Sequence, residues 1–456
     1  MYSMNDENIT NNQPKKELDS VSSLVQSPSK KKDVIRVISN GSSNASGKEK
    51  KIVAILSIVS VVLISALIYA FVFSGGSIIN PLPDKNGSNG PDSGGIVSKG
   101  ETFENPINGM IFSKEEAKKF QNNKPIAVMV NNYVVARPSS GLSKADIVYE
   151  AVAEGGITRL MPIFYSRIPS VVSSVRSARY YFVQLASAYS PIYAHWGAAH
   201  VPDCQKAPVT SSSYCPPVNG VVETEPAVDA YDMIVKLGVP NLDGGNYSCD
   251  SESCAFGRDP NKVGKIPLEH TAFTRLPLIY ELAKKIRPQD SWNTFTPFTP
   301  WKFKDEASLK DRGTVGKETP ITFNYWDTMA GFNVKWVYDS DKNEYIRYQG
   351  DVKQIDGLSG EELRAKVVII RFTKQELVGD KKSHLYHDIA GAGKALIFQD
   401  GNVINANWAR SNPDTMDVYT DLSSKEFEFV RGQIWVQLVP TDNVITYEKA
   451  ATIMSQ

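Results

Sequence analysis

Ile52 to Phe73, reading IVAILSIVSVVLISALIYAFVF, runs for 22 residues without a charge. At about 1.5 Å per residue a helix of that length crosses the roughly 30 Å hydrocarbon layer of a bilayer. The rival is a signal peptide, but its apolar core is about 7 to 15 residues long and lies near the chain start. Here a long polar segment comes first, so 52–73 is expected to be a transmembrane helix. Lys48, Lys50 and Lys51 stand before it and the uncharged SGGSIINPLP follows. Basic flanks stay on the cytoplasmic side, so the N-terminus is expected in the cytoplasm and the bulk of the chain outside it, tethered to the cell membrane by a single pass.

Composition divides the rest. Residues 1–51 are rich in Ser, Asn and Lys and nearly lack aromatics. Such a segment buries too little apolar surface to offset its ordering entropy, which predicts a disordered cytoplasmic tail. Residues 74–100 are rich in Gly, Ser, Asn and Pro, the make-up of a flexible linker. Over the whole chain 41% of residues are hydrophobic and 22% charged, enough to build a sizeable core beyond residue 101. Fifty Lys plus Arg balance fifty Asp plus Glu. With no net field and no basic stripe interleaved with aromatics, no nucleic-acid partner is expected.

In the folded part, Pro125 to Asn131 reads as a strand, and Ile147 to Ala153 and Ile157 to Tyr165 as two more joined at Gly155-Gly156. A two-residue turn there pairs Glu154 with Ile157, Val152 with Arg159 and Glu150 with Met161. Side chains alternate faces, so this register puts Arg159 beside Glu150 and Glu154 and sends Ile147, Tyr149, Ala151, Ala153, Leu160 and Phe164 to the core. A helix beginning near Ser177 follows, with Arg176 and Arg179 at its N-terminus, where the dipole disfavours cations. Glu150 and Glu154 could neutralise them internally, or an external anion could be held there.

Two further helices are expected over Glu223–Leu237 and Leu276–Ile286. Pro, Trp, Phe and charges mix without a period from Asp290 to Thr319, which suggests a boundary. Beyond it, hairpins around Ser340–Asn343 and Asp400-Gly401 predict a β-rich domain. The expected architecture is an α/β (α+β) domain over 101–290, carrying a Cys-containing insertion at 200–265, and a β-rich domain over 318–456. Trp408 could stack on a sugar ring, although a strand Trp is more often core.

The run from Pro125 to Gly197 carries AR-P-x-SGL-x-x-ADIVYE, EGGITR and VRSAR in an order and spacing that resemble the YerB-like family of bacterial envelope lipoproteins, whose domain has no assigned function. EHTAFT at 269–274, Tyr345 to Asp356 and Gly391 to Pro440 are similar to later parts of the family. The resemblance implies an extracytoplasmic, membrane-tethered protein, with polar positions Arg137, Ser140, Asp146, Glu150, Glu154, Thr158, Arg159, Arg176, Ser177 and Arg179. Two departures stand out: no Cys precedes Cys204 for lipid attachment, and Val352 to Ile355 occupy the place of a family His.

Outside the membrane, Cys204, Cys215, Cys249 and Cys254 read as two disulfides. Proximity favours Cys204 with Cys215 and Cys249 with Cys254, and a four-thiolate zinc site is the alternative. No nucleophile elbow, phosphate-binding loop or zinc-protease motif occurs, and no cofactor or metal is expected. His384 and His387 read as a solvated loop. His195 ends an apolar run, where it could serve as an acid/base partner of Glu150 or Glu154, or simply pack. Two functions follow. The first is an envelope binding module that uses Arg137, Arg159, Arg176 and Arg179 for an anionic or saccharide group of a cell-wall polymer, or for an envelope protein. The second is a hydrolase or transferase built on Glu150 or Glu154 with His195.

Overall fold

Gly155 and Gly156 both take positive φ, 53° and 81°, as a two-residue hairpin turn between right-twisted strands requires. The strands they join lie at the centre of an 11-stranded sheet. The computed structural model of the chain describes residues 101–288, 294–326 and 329–448. The expected tail, spanning helix and linker lie outside them. Among the described residues no helix is long and apolar enough to cross a membrane.

The sheet strands, in chain order, are β1 (Ile126–Val128), β2 (Val130–Asn131), β3 (Ile147–Glu154), β4 (Ile157–Phe164), β5 (Ile192–His195), β6 (Asn241–Asp243), β7 (Val367–Thr373), β8 (Gly391–Gln399), β9 (Asn402–Arg410), β10 (Val418–Asp421) and β11 (Ile434–Pro440). They lie side by side in the order β10-β9-β8-β7-β11-β3-β4-β1-β5-β6, with β2 also on β4. β11 runs parallel to both β7 and β3, with Ile434 opposite Val367 and Ile147. The halves expected as separate domains, 101–290 and 318–456, therefore share one sheet, and the described residues form one compact unit. The separate domains do not form because β3, β7 and β11 are mostly apolar and buried on both faces along nearly their whole length, so each needs a neighbour on either side and cover above and below.

One face is covered by α1 (Tyr180–Ser187), packed through Tyr181 and Val183 against Tyr149, Ile369 and Val436. α2 (Ala230–Leu237), capped by Asp229 and ended by Gly238, joins that layer through Ile234. The other face is covered by α3 (Leu276–Ile286) and by a smaller sheet containing Val334–Asp339 and Glu344–Gln349, whose Trp336 meets Trp435 edge-on at 5.3 Å. The mixed α/β and β-rich character of the sequence is thus present. The expected helix over Glu223–Leu237 is shorter, because Pro226–Val228 forms a separate 3-10 turn.

The hairpin register differs from the expectation. Glu154 does pair with Ile157, but Val152 pairs with Thr158, Ala151 with Arg159 and Glu150 with Leu160, because the ladder slips between Val152 and Glu154. A bulge of one residue reverses the facing of everything beyond it. Arg159 consequently shares the α1 face with Glu154, while Glu150 and Thr158 lie on the opposite face together with Leu160 and Phe164.

Candidate functional site

Three of the sequence-selected arginines gather where β3 ends and α1 begins. Arg159 is 3% exposed; its guanidinium donates to Glu154 Oε1 at 2.5 Å and to the Ser177 carbonyl at 2.5 Å. Arg179, the residue before the first turn of α1, donates from Nη2 to Glu154 Oε2 at 2.7 Å and from Nη1 to the Ala178 carbonyl at 2.9 Å. Burial alone would raise the Glu154 carboxyl, but Arg159 and Arg179 overcome it and hold it down to about 2. Burial, then Arg179, lowers Arg159 to about 10, which leaves it charged at neutral pH. The placement of Arg179 against the helix dipole is therefore answered inside the protein.

Arg176 is different. It is half-buried, and among the described residues its guanidinium meets no carboxylate within 4.0 Å and makes no hydrogen bond. Burial lowers its pKa, Glu154 and Glu269 act to raise it, and Arg179 and Arg258 lower it further. Arg258 lies over the Trp196 ring at 4.4 Å. His270 stacks on Tyr133 at 5.2 Å, and burial and then Arg176 lower its pKa. One carboxylate, Glu154, thus serves Arg159 and Arg179, and Arg176 stands beside them as an unpaired cation.

The other selected residues are not part of this cluster. Arg137 donates to the carbonyls of Asn132 and Gly331 and lies over Phe332, and burial lowers it to about 10 while Glu150 opposes that. Its place on the Glu150 side removes it from the expected group of four. Glu150 is buried and pairs with Arg347 Nη2 at 2.6 Å, a partner that the sequence did not suggest. It also accepts from Thr158 Oγ1 at 2.9 Å and Gln437 Nε2 at 2.9 Å. Asp146 is fully buried and takes Asn105, Asn108, Ser166 and the Tyr165 amide, so it anchors the start of the folded region. Ser140 pairs through its backbone with Ser173.

His195, at the end of β5, is fully buried and bonds the Gly197 carbonyl at 2.8 Å and Asn241 Oδ1 at 3.2 Å, with Asp243 at 4.0 Å. Neither Glu150 nor Glu154 is among its partners, so the expected acid/base pair does not form. His384 and His387 are not a solvated loop but buried residues. His384 Nδ1 meets Asp380 at 2.8 Å beside Glu154, and His387 Nε2 meets the Val152 carbonyl at 2.9 Å. The aromatic cover from α1 explains their burial, since His387 packs on Tyr181 at 4.0 Å between ring centroids. Trp408 is core, and its Nε1 donates to the Phe372 carbonyl at 2.9 Å.

The cysteines pair as Cys204 with Cys215 and Cys249 with Cys254, which consumes the thiols a zinc site would use. Arg258, whose charge acts on Arg176, and Asp380, which holds His384 beside Glu154, carried no sequence signal. Glu269 and His270 were visible only through the EHTAFT resemblance.

Two family models match the chain. Residues 112–215 fit the N-terminal domain, and residues 321–436 the C-terminal domain, of the protein of unknown function DUF3048. YerB of Bacillus subtilis (strain 168), provisionally named a lipoprotein, is 28% identical over 335 residues, spanning 74% of this chain and 86% of that protein. The crystal structure of YerB from the same organism is similar with a TM-score of 0.57 at 26% identity, covering 75% of this chain and 99% of that one. The two matched regions meet at the β3–β11 pairing. The chain belongs to the YerB-like DUF3048 family.

Proposed function

We propose that this protein is an envelope-associated binding module, held at the membrane by residues 52–73, whose exported body captures an anionic group through Arg176. The observation that carries this reading is the unpaired Arg176 guanidinium. It keeps solvent contact next to two arginines that already share one carboxylate. A cation in that position gains more from a phosphate or carboxylate ligand than a self-neutralised surface ion does. The lipoprotein name given to YerB supports an envelope location, and the apolar run 52–73 is of the length and composition of a membrane anchor. A cell-wall polymer fits the chemistry and the location.

The test is retention of the purified protein on isolated cell wall. Arg176→Ala is expected to lose retention with an unchanged melting temperature, because the side chain makes no internal bond. Full retention by that variant would count against the reading. Arg159 and Arg179 are unsuitable for this test, since each holds Glu154. The hydrolase alternative has no observation in its favour: both glutamates are committed to arginines and His195 meets neither.

A further inference from the structure

Away from Arg176, a cleft of about 580 Å³ opens between the smaller sheet and the segments that lead into β3 (Ser143, Lys144), out of β4 (Arg167) and into β11 (Arg431 to Gln433). Its volume falls within the range of about 300 to 1,000 Å³ typical of small-molecule sites. Six cationic side chains line it, Lys144, Arg167, Lys342, Arg364, Lys366 and Arg431, against three glutamates.

Four of the six are already matched. Lys144 meets Glu361 at 2.7 Å, and Arg364 meets Glu362 at 2.5 Å, Asp339 at 2.9 Å and Glu344 at 3.4 Å. Lys366 meets Glu306 at 2.7 Å, and Arg431 meets Asp305 at 2.7 Å and Glu104 at 3.1 Å. These pairs cancel within the walls and set their shape. Gly432 contributes to that shape: at φ 131°, any Cβ there would lie 2.4 Å from Lys366 Cγ, so only glycine lets the lysine lie along the wall.

The remaining two have no carboxylate within 4.0 Å among the described residues, although Arg167 acts on Asp146 from farther away. Arg167 has one long hydrogen bond, from Nη2 to the Ala145 carbonyl at 3.4 Å, and that carbonyl already accepts Gln433 Nε2 at 2.8 Å. The Arg167 Nε is buried without an acceptor among the described residues. Nearby Asp146 is saturated by its own amide and hydroxyl donors. Lys342 is exposed, and its ammonium has neither an acid nor a hydrogen-bond partner among the described residues. Arg167 as a whole is half-buried, and its Nη1 has no acceptor among the described residues, so a ligand oxygen in the cleft would complete its donors. A planar fork and a point charge lining one concavity suit the oxygens of a phosphoryl group.

We infer that this cleft is a binding site for a phosphoryl-bearing ligand, held by Arg167 with Lys342 as the second charge. The test is titration of the full-length protein with pyrophosphate, followed by calorimetry. Saturable binding is expected, weakened about tenfold or more in Arg167→Gln and in Lys342→Gln and unchanged in Arg176→Ala, so this site is read separately from the proposed wall-binding one. Lys342 is on the surface, which makes Lys342→Gln informative even if Arg167→Gln fails to fold. Co-sedimentation with phosphatidylglycerol vesicles distinguishes the source. Vesicle binding lost in the same two variants and displaced by pyrophosphate supports the site with a lipid headgroup as ligand, whereas pyrophosphate binding without vesicle binding supports it with a free phosphoryl compound. Absence of saturable binding to either probe, or binding that neither substitution weakens, overturns the inference.

Discussion

Replacing Glu154 with Gln removes the one carboxylate between Arg159 and Arg179 while keeping the side chain's shape. The carboxyl is held at about 2 against a usual 4.5. At about 1.4 kcal/mol per pH unit, that displacement corresponds to about 3 kcal/mol of coupling to the folded state. It agrees with the loss of about 3 to 5 kcal/mol expected when a buried ion pair loses one partner. The folded-state pKa is depressed, so the stabilisation is complete above the usual value and disappears as pH falls from 4.5 towards about 2. Urea unfolding of residues 95–456 at neutral pH should show Glu154→Gln less stable by about 3 kcal/mol. The same measurement repeated down the acid limb should show a shallower loss in the variant than in the parent. A deficit below about 1 kcal/mol, the size of an exposed pair, together with identical acid limbs, would refute the claim that this carboxylate carries the arginine cluster.

Glu150→Gln leaves Arg347 buried without its counter-charge, under Trp336 and Trp435; a loss of about 3 to 5 kcal/mol is expected by urea unfolding. Gly401→Ala places a Cβ 2.2 Å from the Gly313 carbonyl at φ 67°, so it should cost about 2 kcal/mol or more, read as a lowered melting temperature. Reduction of the two disulfides should open 204–215 and 249–254 to proteolysis while the main unfolding transition keeps its cooperativity, because both crosslinks close short loops outside the central sheet; loss of the transition would contradict that.

The hairpin was legible because Gly155-Gly156 between two apolar runs leaves few alternatives. Its bulge was not. Nothing in VAEGGIT marks which residue leaves the ladder, and that single slip leaves Arg159 with Glu154 alone and sends Glu150 to the other face. The Asp400-Gly401 turn and the Ser340–Asn343 hairpin were readable for the same local reason. The burial of His384 and His387 depends on Tyr180 and Tyr181, some two hundred residues earlier in the chain, a relation that local pattern does not carry. The unpaired state of Arg176 depends likewise on where each neighbouring acid is spent. The disulfide pairing followed from proximity, since Cys204 and Cys249 each find their partner within one surface loop.

The seating of β11 between β7 and β3 fixes an order of events. The β3–β4 hairpin emerges early in synthesis, yet one edge of β3 has no neighbour until Ile434 to Leu438 arrive. The earlier part of the fold therefore travels through biosynthesis with an open, apolar strand edge, closed only when β11 has been made. A chain stopped anywhere before 434 leaves that edge bare, so the two family modules are inseparable as products even though each is recognisable as text.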